Sequence, residues 1–85
     1  MKFVVVAIPN PRVDRAPIQE AETAAVEELY RSGMIDRVYA RVDGASSLTV
    51  LEAEDEAAAR EAIERLPFYV HGAMTVDIFE VRQVL

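Results

Sequence analysis

The sequence contains no cysteine and only one histidine. The absence of cysteine excludes disulfide bonds, thiolate zinc sites, iron–sulfur clusters and cysteine nucleophiles. One histidine cannot form a dedicated metal site, and the acidic residues show no recognisable ligand spacing. We therefore expect no metal, and a fold that is stabilised by packing and, for so small a chain, by partners.

Glycine and long apolar runs are also scarce. The three glycines, Gly33, Gly44 and Gly72, are scattered, so the sequence has no glycine-rich phosphate loop and indicates no nucleotide cofactor. The longest early apolar run covers residues 3–8 and stops at Pro9, which is too short for a signal peptide or a membrane span. We expect a cytoplasmic protein without membrane association.

Basic residues are outnumbered by acidic ones. Nine Lys and Arg residues stand against fifteen Asp and Glu residues, which gives a formal net charge of −6. This balance opposes the phosphate neutralisation on which nucleic-acid binding depends, so we expect no nucleic-acid partner. Eight of the nine basic residues are arginine, whose planar fork suits carboxylates, so a small anionic ligand is compatible with the composition.

The length of 85 residues allows one domain, which we place at residues 1–85. Surface scaling indicates that a folded chain of this size buries roughly 63% of its unfolded surface, which is enough for a thin core. The composition, 52% hydrophobic and 28% charged, is typical of a globular chain and excludes a disordered one.

Hydrophobic periodicity predicts four strands and two helices. Residues 2–8 are apolar on both alternating sets, which is typical of a strand in the middle of a sheet. Pro17 suits a first helical turn, Gly33 can end the first helix, and Asp55 can cap the second. The predicted elements are strands at 2–8, 35–42, 47–54 and 74–81 and helices at 18–32 and 56–65. Their order, βαββαβ, predicts a ferredoxin-like α+β fold with a four-stranded antiparallel sheet.

Two helices can cover only one face of a four-stranded sheet. The small apolar residues Val38, Ala40 and Val42 suit packing against helices, so the opposite set lies on the uncovered face. We place these side chains on the uncovered face: Ile35, Arg37, Tyr39, Arg41, Ser47, Thr49, Leu51, Thr75, Asp77 and Phe79. The centre of this face is too apolar for a solvated surface and too polar for a plain core. It predicts a pocket that is closed by the sheet of a second copy, and therefore a homodimer.

Several short motifs along the chain point to one family. They are Glu22 with Glu28-Leu29 and Gly33 around the first helix, Tyr39 with Arg41-Val42 and Gly44 around the hairpin, and Leu66-Pro67-Phe68 before the last strand. In their order and spacing the chain resembles the muconolactone isomerase family over nearly its whole length. The chain departs from the family pattern in two places, with one extra residue between Gly33 and Arg41 and a longer stretch at 69–73.

The resemblance implies a dimeric α+β barrel, which forms decamers in the family, and a reaction without metal or organic cofactor. The implied isomerase moves a carbon–carbon double bond within a small anionic unsaturated lactone derived from an aromatic compound. Such a site needs an acid–base group of raised pKa, donors for the developing oxyanion, and a cation for the substrate carboxylate. The alternatives are another pocket enzyme of the same barrel fold, such as a polyketide-tailoring cyclase or oxygenase, and a non-catalytic small-molecule-binding oligomer.

Glu22 and His71 are the candidates for proton transfer. Glu22 lies near the edge of the apolar stripe of the first helix, where a carboxylate can be partly desolvated; the alternative is a solvated position, since Glu20, Glu27 and Glu28 surround it. His71 is the only side chain whose ordinary pKa lies near neutrality. The resemblance implies that its loop closes the barrel mouth, although a loop histidine is more commonly a surface residue.

Arg41, Tyr39 and Ser47 are the candidates for substrate binding. Arg41 can hold a carboxylate with two hydrogen bonds, and an ion pair with Asp43 or Asp77 of a partner chain explains it equally well. Tyr39 offers a phenol to an oxyanion or an amphipathic ring to a dimer interface. Ser47 is a candidate hydrogen-bond donor only, because the sequence shows no histidine–carboxylate arrangement that would make it a nucleophile.

Overall fold

The computed structural model describes all 85 residues and shows four strands, three helices and one 3₁₀ turn. The strands are β1 (Lys2–Pro9), β2 (Ile35–Ala40), β3 (Ser47–Glu52) and β4 (Met74–Val81). The helices are α1 (Gln19–Arg31), α2 (Glu56–Glu64) and α3 (Pro67–Val70), and the 3₁₀ turn Ala16–Ile18 leads into α1. Every predicted element is present, and α3 is an additional helical turn in a stretch that the sequence predicts as a loop.

Local chemistry explains where the two longer helices begin and end. Pro17 lies in the 3₁₀ turn that leads into α1, where its missing N–H group has no helical partner to lose. Gly33 follows α1 with a φ of +85°, a left-handed conformation that glycine adopts without strain. The Asp55 side chain accepts a 2.8 Å hydrogen bond from the backbone N–H of Ala58 and so caps α2, as predicted.

The sheet is antiparallel throughout, with the strand order β2-β3-β1-β4. β1 therefore lies between two strands, as its apolar sequence predicts. Its register pairs Phe3 with Leu51 of β3 and Val5 with Ile78 of β4. This strand order, with the helices on one face, is the ferredoxin-like α+β fold.

The hydrophobic core lies between one face of the sheet and the helices. Phe3 and Leu51 are the largest side chains that are fully buried, and Ala59 and Ile63 of α2 pack against them. The core is thus built from one alternating set of strand residues, which leaves the other set on the opposite face.

None of the helices has both the length and the apolar character that a membrane-spanning segment requires.

The opposite face of the sheet, here called the open face, carries apolar side chains without a cover. Val4 alternates with the buried Phe3 and pairs across the strands with Phe79, which is 41% exposed. Tyr39 is also exposed, and its hydroxyl accepts a 3.5 Å hydrogen bond from Nη1 of Arg37. The predicted positions of Arg37, Tyr39 and Phe79 on this face are confirmed.

Four side chains of the hairpin lie on the other side of the sheet from the predicted one. A β-bulge between Ile35 and Arg37 adds one residue to β2, which turns Ile35 into the core, where it is 3% exposed. Leu51 is fully buried against Phe3 rather than on the open face. Ser47 and Thr49 share its alternation and face the helices. The predicted open-face positions of Ile35, Ser47, Thr49 and Leu51 are therefore wrong.

Candidate active site

A cavity of about 350 Å³ opens between α1 and the helix-covered face of the sheet. Small side chains line it on the sheet side, among them Ala7 of β1 and Ala40 of β2, so the sheet and the helix do not close completely over each other. More than half of the lining residues are hydrophobic. The volume and the apolar walls suit a small ring compound that is held by a few polar groups.

Glu22 is the one charged residue that the fold buries, with 7% of its surface exposed. It projects from α1 to the cavity, and its Oε1 accepts a 2.8 Å hydrogen bond from the backbone N–H of Phe68 in α3. Burial raises the pKa of Glu22 above its ordinary value of 4.5, and the hydrogen bond from Phe68 lowers it by a smaller amount. A carboxyl group that is fixed in place and has a raised pKa is suited to accepting and returning a proton.

The second carboxyl oxygen of Glu22, Oε2, is free for chemistry. Oε2 makes no hydrogen bond within the chain. Every side-chain oxygen or nitrogen that is fully buried in this structure does have a hydrogen-bond partner, so Oε2 is not one of the fully buried atoms. Oε2 is therefore not sealed in the core, and the cavity that Glu22 lines is the space open to it. One oxygen thus anchors the side chain while the other is open to the cavity.

Hydroxyl groups line the cavity at Ser46, Ser47 and Thr49, and the last two lie on the sheet wall opposite α1. Ser47 and Thr49 are alternate residues of β3, so both point from the sheet to the same face. Neither side chain makes a hydrogen bond within the chain. Because every fully buried side-chain oxygen in this structure has a hydrogen-bond partner, neither of these two hydroxyls is fully buried. Both are available to donate hydrogen bonds to an oxygen atom of a ligand.

Arg15 is the only basic residue that lines the cavity. It comes just before the 3₁₀ turn, and its side chain is exposed rather than buried. Its guanidinium carbon lies 5.3 Å from the centroid of the Phe68 ring, within cation–π distance. The cavity therefore has one carboxyl group and one cation, and Phe68 contacts both of them.

The structure brings together two of the five site residues that the sequence singles out. Glu22 and Ser47 line the same cavity. Arg41 lies outside it, and its Nη2 forms a 2.7 Å ion pair with Oδ2 of Asp43 within the same chain. Tyr39 lies on the open face, on the other side of the sheet.

His71, the remaining predicted residue, follows α3 and is exposed. It does not line the cavity. The segment that carries it is fixed by Asn10, whose Nδ2 donates a 3.0 Å hydrogen bond to the carbonyl of Gly72 and whose backbone N–H donates one of 2.7 Å to Ala73. His71 therefore stays near one end of the sheet, outside the cavity lining.

Sequence reasoning missed Thr49 and Arg15 as members of the site. Thr49 pairs directly with Val38, and residues directly opposite in an antiparallel sheet share a face. Placing Val38 toward the helices therefore also places Thr49 there, once the register of the hairpin is known. Arg15 carries no comparable signal, because it lies in a proline-rich loop whose path the sequence pattern does not define.

The arrangement can support proton transfer at carbon. A desolvated carboxyl group faces a small apolar space, hydroxyl donors lie across from it, and a cation stands at the side. No group of three or more His, Asp or Glu side chains is placed to hold a metal ion. Removal of a proton from a carbon that is conjugated with a carbonyl requires two of the groups in this cavity, a base and oxyanion donors.

Several solved structures share this fold. The 5-chloro-2-hydroxyhydroquinone dehydrochlorinase of Burkholderia phenoliruptrix is 20% identical, with a TM-score of 0.80 over 96% of this chain and 94% of that one. A muconolactone isomerase is 15% identical, with a TM-score of 0.80 over 98% of this chain and 90% of that one. A cofactor-independent oxygenase of Streptomyces nogalater is 18% identical, with a TM-score of 0.52 over 99% and 94% of the two chains.

The family of the chain follows from its sequence rather than from these distant structures. No curated protein matches the sequence significantly. The muconolactone delta-isomerase family, however, matches residues 3–83. Because this match spans nearly the whole length, the chain belongs to the muconolactone delta-isomerase family.

Proposed function

We propose that this protein is a cofactor-independent isomerase that moves a double bond within a small anionic unsaturated lactone, with Glu22 as the acid–base group. The observation that carries the proposal is the state of Glu22. It is buried in the wall of a ligand-sized cavity, one oxygen is fixed by Phe68, and the other is free to face the ligand. Family membership supplies the reaction class.

The proposed reaction needs one base and no external reagent. The ionised carboxyl of Glu22 removes a proton from the lactone carbon that carries the carboxymethyl arm. The electron pair of that C–H bond forms a new double bond, the old double bond shifts, and negative charge collects on the lactone carbonyl oxygen. Glu22 then returns the same proton to the carbon next to the carbonyl, which restores the carboxylate and releases the isomer.

The hydroxyl groups of Ser47 and Thr49 are the proposed donors to the carbonyl oxygen. They lie on the sheet, across the cavity from α1, and have no partner within the chain. Donors that are fixed before the reaction stabilise an oxyanion most when water is excluded. The apolar walls around them provide that exclusion.

We further propose that the open face of the sheet pairs with the open face of a second copy. Tyr39 is 52% exposed and Phe79 41% exposed on this face, and Leu48 is 37% exposed, so a contiguous apolar surface is available for an isologous contact. Arg41 and Tyr39 would then lie at or beside the interface rather than in the cavity. Larger assemblies such as decamers stay a prediction from the resemblance.

A second candidate function is base-assisted loss of hydrogen chloride from a small hydroxylated ring. The dehydrochlorinase shares the fold with the same TM-score as the muconolactone isomerase. In such an elimination Glu22 would take a proton from a ring hydroxyl of the ketone tautomer, whose C–O bond becomes a carbonyl while chloride leaves the saturated ring carbon. The sequence also leaves open a polyketide-tailoring cyclase or oxygenase and a non-catalytic binding protein. We favour the isomerase and the dehydrochlorinase over these functions because Glu22 gives the cavity an acid–base group.

The experiment that tests the proposed isomerase is a direct assay of the purified protein with muconolactone. Movement of the double bond changes the ultraviolet absorbance of the lactone, and the proposal predicts that this change follows protein concentration. Chlorinated and methylated analogues are assayed in parallel, and released chloride is measured as well. Absence of isomerisation with all of these compounds would overturn the proposal, and chloride release alone would favour the second candidate.

A further inference from the structure

The cavity contains a cation for which neither the sequence pattern nor the proposed proton transfer has a role. Arg15 is the only basic side chain among the lining residues, and it is not one of the predicted site residues. Arg41, the residue that the sequence proposes for binding a carboxylate, lies outside this space. The chain therefore has an unassigned arginine where a substrate would enter.

Arg15 is also free of acidic partners. Five of the nine basic residues form ion pairs within 4.0 Å, and these are Lys2, Arg31, Arg41, Arg60 and Arg65. Arg15 forms none, and it does not pair with Glu22 although both line the same cavity. Its donors therefore remain available to a ligand, while Nη2 of Arg41 is engaged with Asp43.

The backbone around Arg15 is held in one conformation. Oδ1 of Asp14 accepts a 3.0 Å hydrogen bond from the backbone N–H of Ala16. The carbonyl of Arg15 accepts one of 3.0 Å from the N–H of Ile18, and Pro17 between them fixes its own φ angle. The loop thus presents the arginine from a defined position, which reduces the entropy lost when a ligand binds.

Phe68 connects the arginine with the carboxyl group of the site. Its ring lies 5.3 Å from the guanidinium carbon of Arg15, and its backbone N–H donates to Oε1 of Glu22. One residue therefore sets the positions of both charged groups without bringing them into contact. A ligand between them can place an anionic arm on Arg15 and its ring against the free oxygen of Glu22.

We propose that Arg15 binds the carboxylate of the substrate at the mouth of the cavity, so that the site selects small ring compounds with an anionic arm. This inference rests on the proposed function, since it identifies the group that holds the lactone's carboxymethyl arm. The planar fork of arginine can bind both oxygens of a carboxylate, and the stacked ring of Phe68 orients that fork. Arg15 is thereby a specificity-determining residue, and it takes the role that the sequence assigns to Arg41.

A binding experiment tests this inference without turnover. The probe is the saturated lactone with a carboxymethyl arm, which has no double bond to move, and its methyl ester is the neutral reference. Both are titrated calorimetrically into the wild-type protein and into the variants Arg15→Gln and Arg12→Gln. Arg12 is the matched control, because it is an exposed arginine in the same loop that neither lines the cavity nor forms an ion pair.

We expect the wild-type protein and Arg12→Gln to bind the acid more tightly than the ester. Arg15→Gln should weaken binding of the acid by about 10- to 100-fold, the range for a charge-assisted hydrogen bond, and leave binding of the ester unchanged. Thermal unfolding verifies that the variants are folded. Should Arg15→Gln not fold, Arg15→Met takes its place, since its side chain keeps an apolar contact with Phe68.

The outcomes separate this inference from the proposed function. A preference for the acid that survives in Arg15→Gln, or that disappears in Arg41→Gln instead, would overturn the role of Arg15 even if the protein isomerises the lactone. A wild-type protein without any preference would overturn it too. A preference that depends on Arg15 in a protein that fails to isomerise the lactone would support Arg15 and contradict the isomerase.

Discussion

The carboxyl of Glu22 on α1 accepts a 2.8 Å hydrogen bond from the backbone N–H of Phe68, 46 residues further along the chain. This contact joins the first helix to the short helix α3 beside the cavity. It leaves Oε2 of Glu22 without a partner within the chain, in a residue that has only 7% of its surface exposed.

Replacing Glu22 with Gln should stabilise the protein at neutral pH. Burial raises the pKa of Glu22 in the folded state, so the folded protein binds this proton more tightly than the unfolded chain does. The wild-type protein therefore loses stability as the pH rises from the ordinary value of 4.5 through the raised pKa, because the buried group becomes charged. Glu22→Gln has no carboxyl group at this position and keeps its stability over the same pH range. The variant and the wild-type protein should therefore be about equally stable in acid, and the variant should become the more stable one as the pH rises.

Denaturant unfolding of both proteins from acid to neutral pH measures this difference. Glu22→Met serves as the control, because it also removes the charge but leaves the N–H of Phe68 without an acceptor. It should be less stable than Glu22→Gln by about 1–3 kcal/mol at every pH. A wild-type protein whose stability relative to Glu22→Gln does not change with pH would contradict the raised pKa.

Thr49→Val should lower kcat by about 10²-fold, as expected for loss of one oxyanion donor, while changing KM little. Valine keeps the shape and the β-branch of threonine, so the strand should be unaffected. Thr75→Val is the matched control, since Thr75 is exposed on the open face and does not line the cavity. Equal kcat values for Thr49→Val and the wild-type protein would exclude the Thr49 hydroxyl as a donor.

Phe79→Asp should convert the proposed dimer into monomers. A charge in the middle of an isologous apolar contact is buried twice, once in each copy, and each carboxylate loses its contact with water. Tyr30→Asp makes a comparable change at an exposed aromatic residue of α1, away from the open face, and should leave the dimer intact. Sedimentation at micromolar concentration distinguishes the two; a wild-type monomer would refute pairing through the open face.

Leu51→Ala should destabilise the protein by about 2–5 kcal/mol, because it empties space in a fully buried position beside Phe3. Leu48→Ala removes the same atoms from the same strand on the open face, where the side chain is 37% exposed in the single chain, and should have a clearly smaller effect at protein concentrations too low for the proposed dimer to form. Urea unfolding of the two variants at equal protein concentration compares them. Equal losses of stability would mean that the faces of β3 are not as described.

The sequence predicts the elements of this fold well because their signals are local. The apolar run of β1, the cap at Asp55 and the glycine after α1 each act within a few residues. The faces of the hairpin depend instead on pairing at a distance. The bulge after Ile35 and the pairing of Val38 with Thr49 shift side chains across the sheet, and no pattern within one strand indicates them.

The candidate site is predictable only in part for the same reason. Glu22 stands at the edge of an apolar stripe, a position that fits a partly desolvated carboxylate and a solvated one alike, so α1 alone does not decide its burial. Its partner at Phe68 lies in the short helix α3 and the nearby Arg15 lies in a loop, and only the tertiary fold brings them to Glu22. Arg41 attracts attention in the sequence because of the family resemblance, yet a residue two positions away, Asp43, satisfies its charge.

The most direct test of the account is the kcat of Glu22→Gln on muconolactone, measured beside that of His71→Ala. Glutamine nearly matches glutamate in shape and can still accept the hydrogen bond from Phe68, but it cannot take a proton from carbon. The account predicts that Glu22→Gln lowers kcat by about 10²- to 10⁴-fold and that His71→Ala changes it far less. A Glu22→Gln variant with wild-type kcat, together with an inactive His71→Ala variant, would contradict the account and assign the proton transfer to His71.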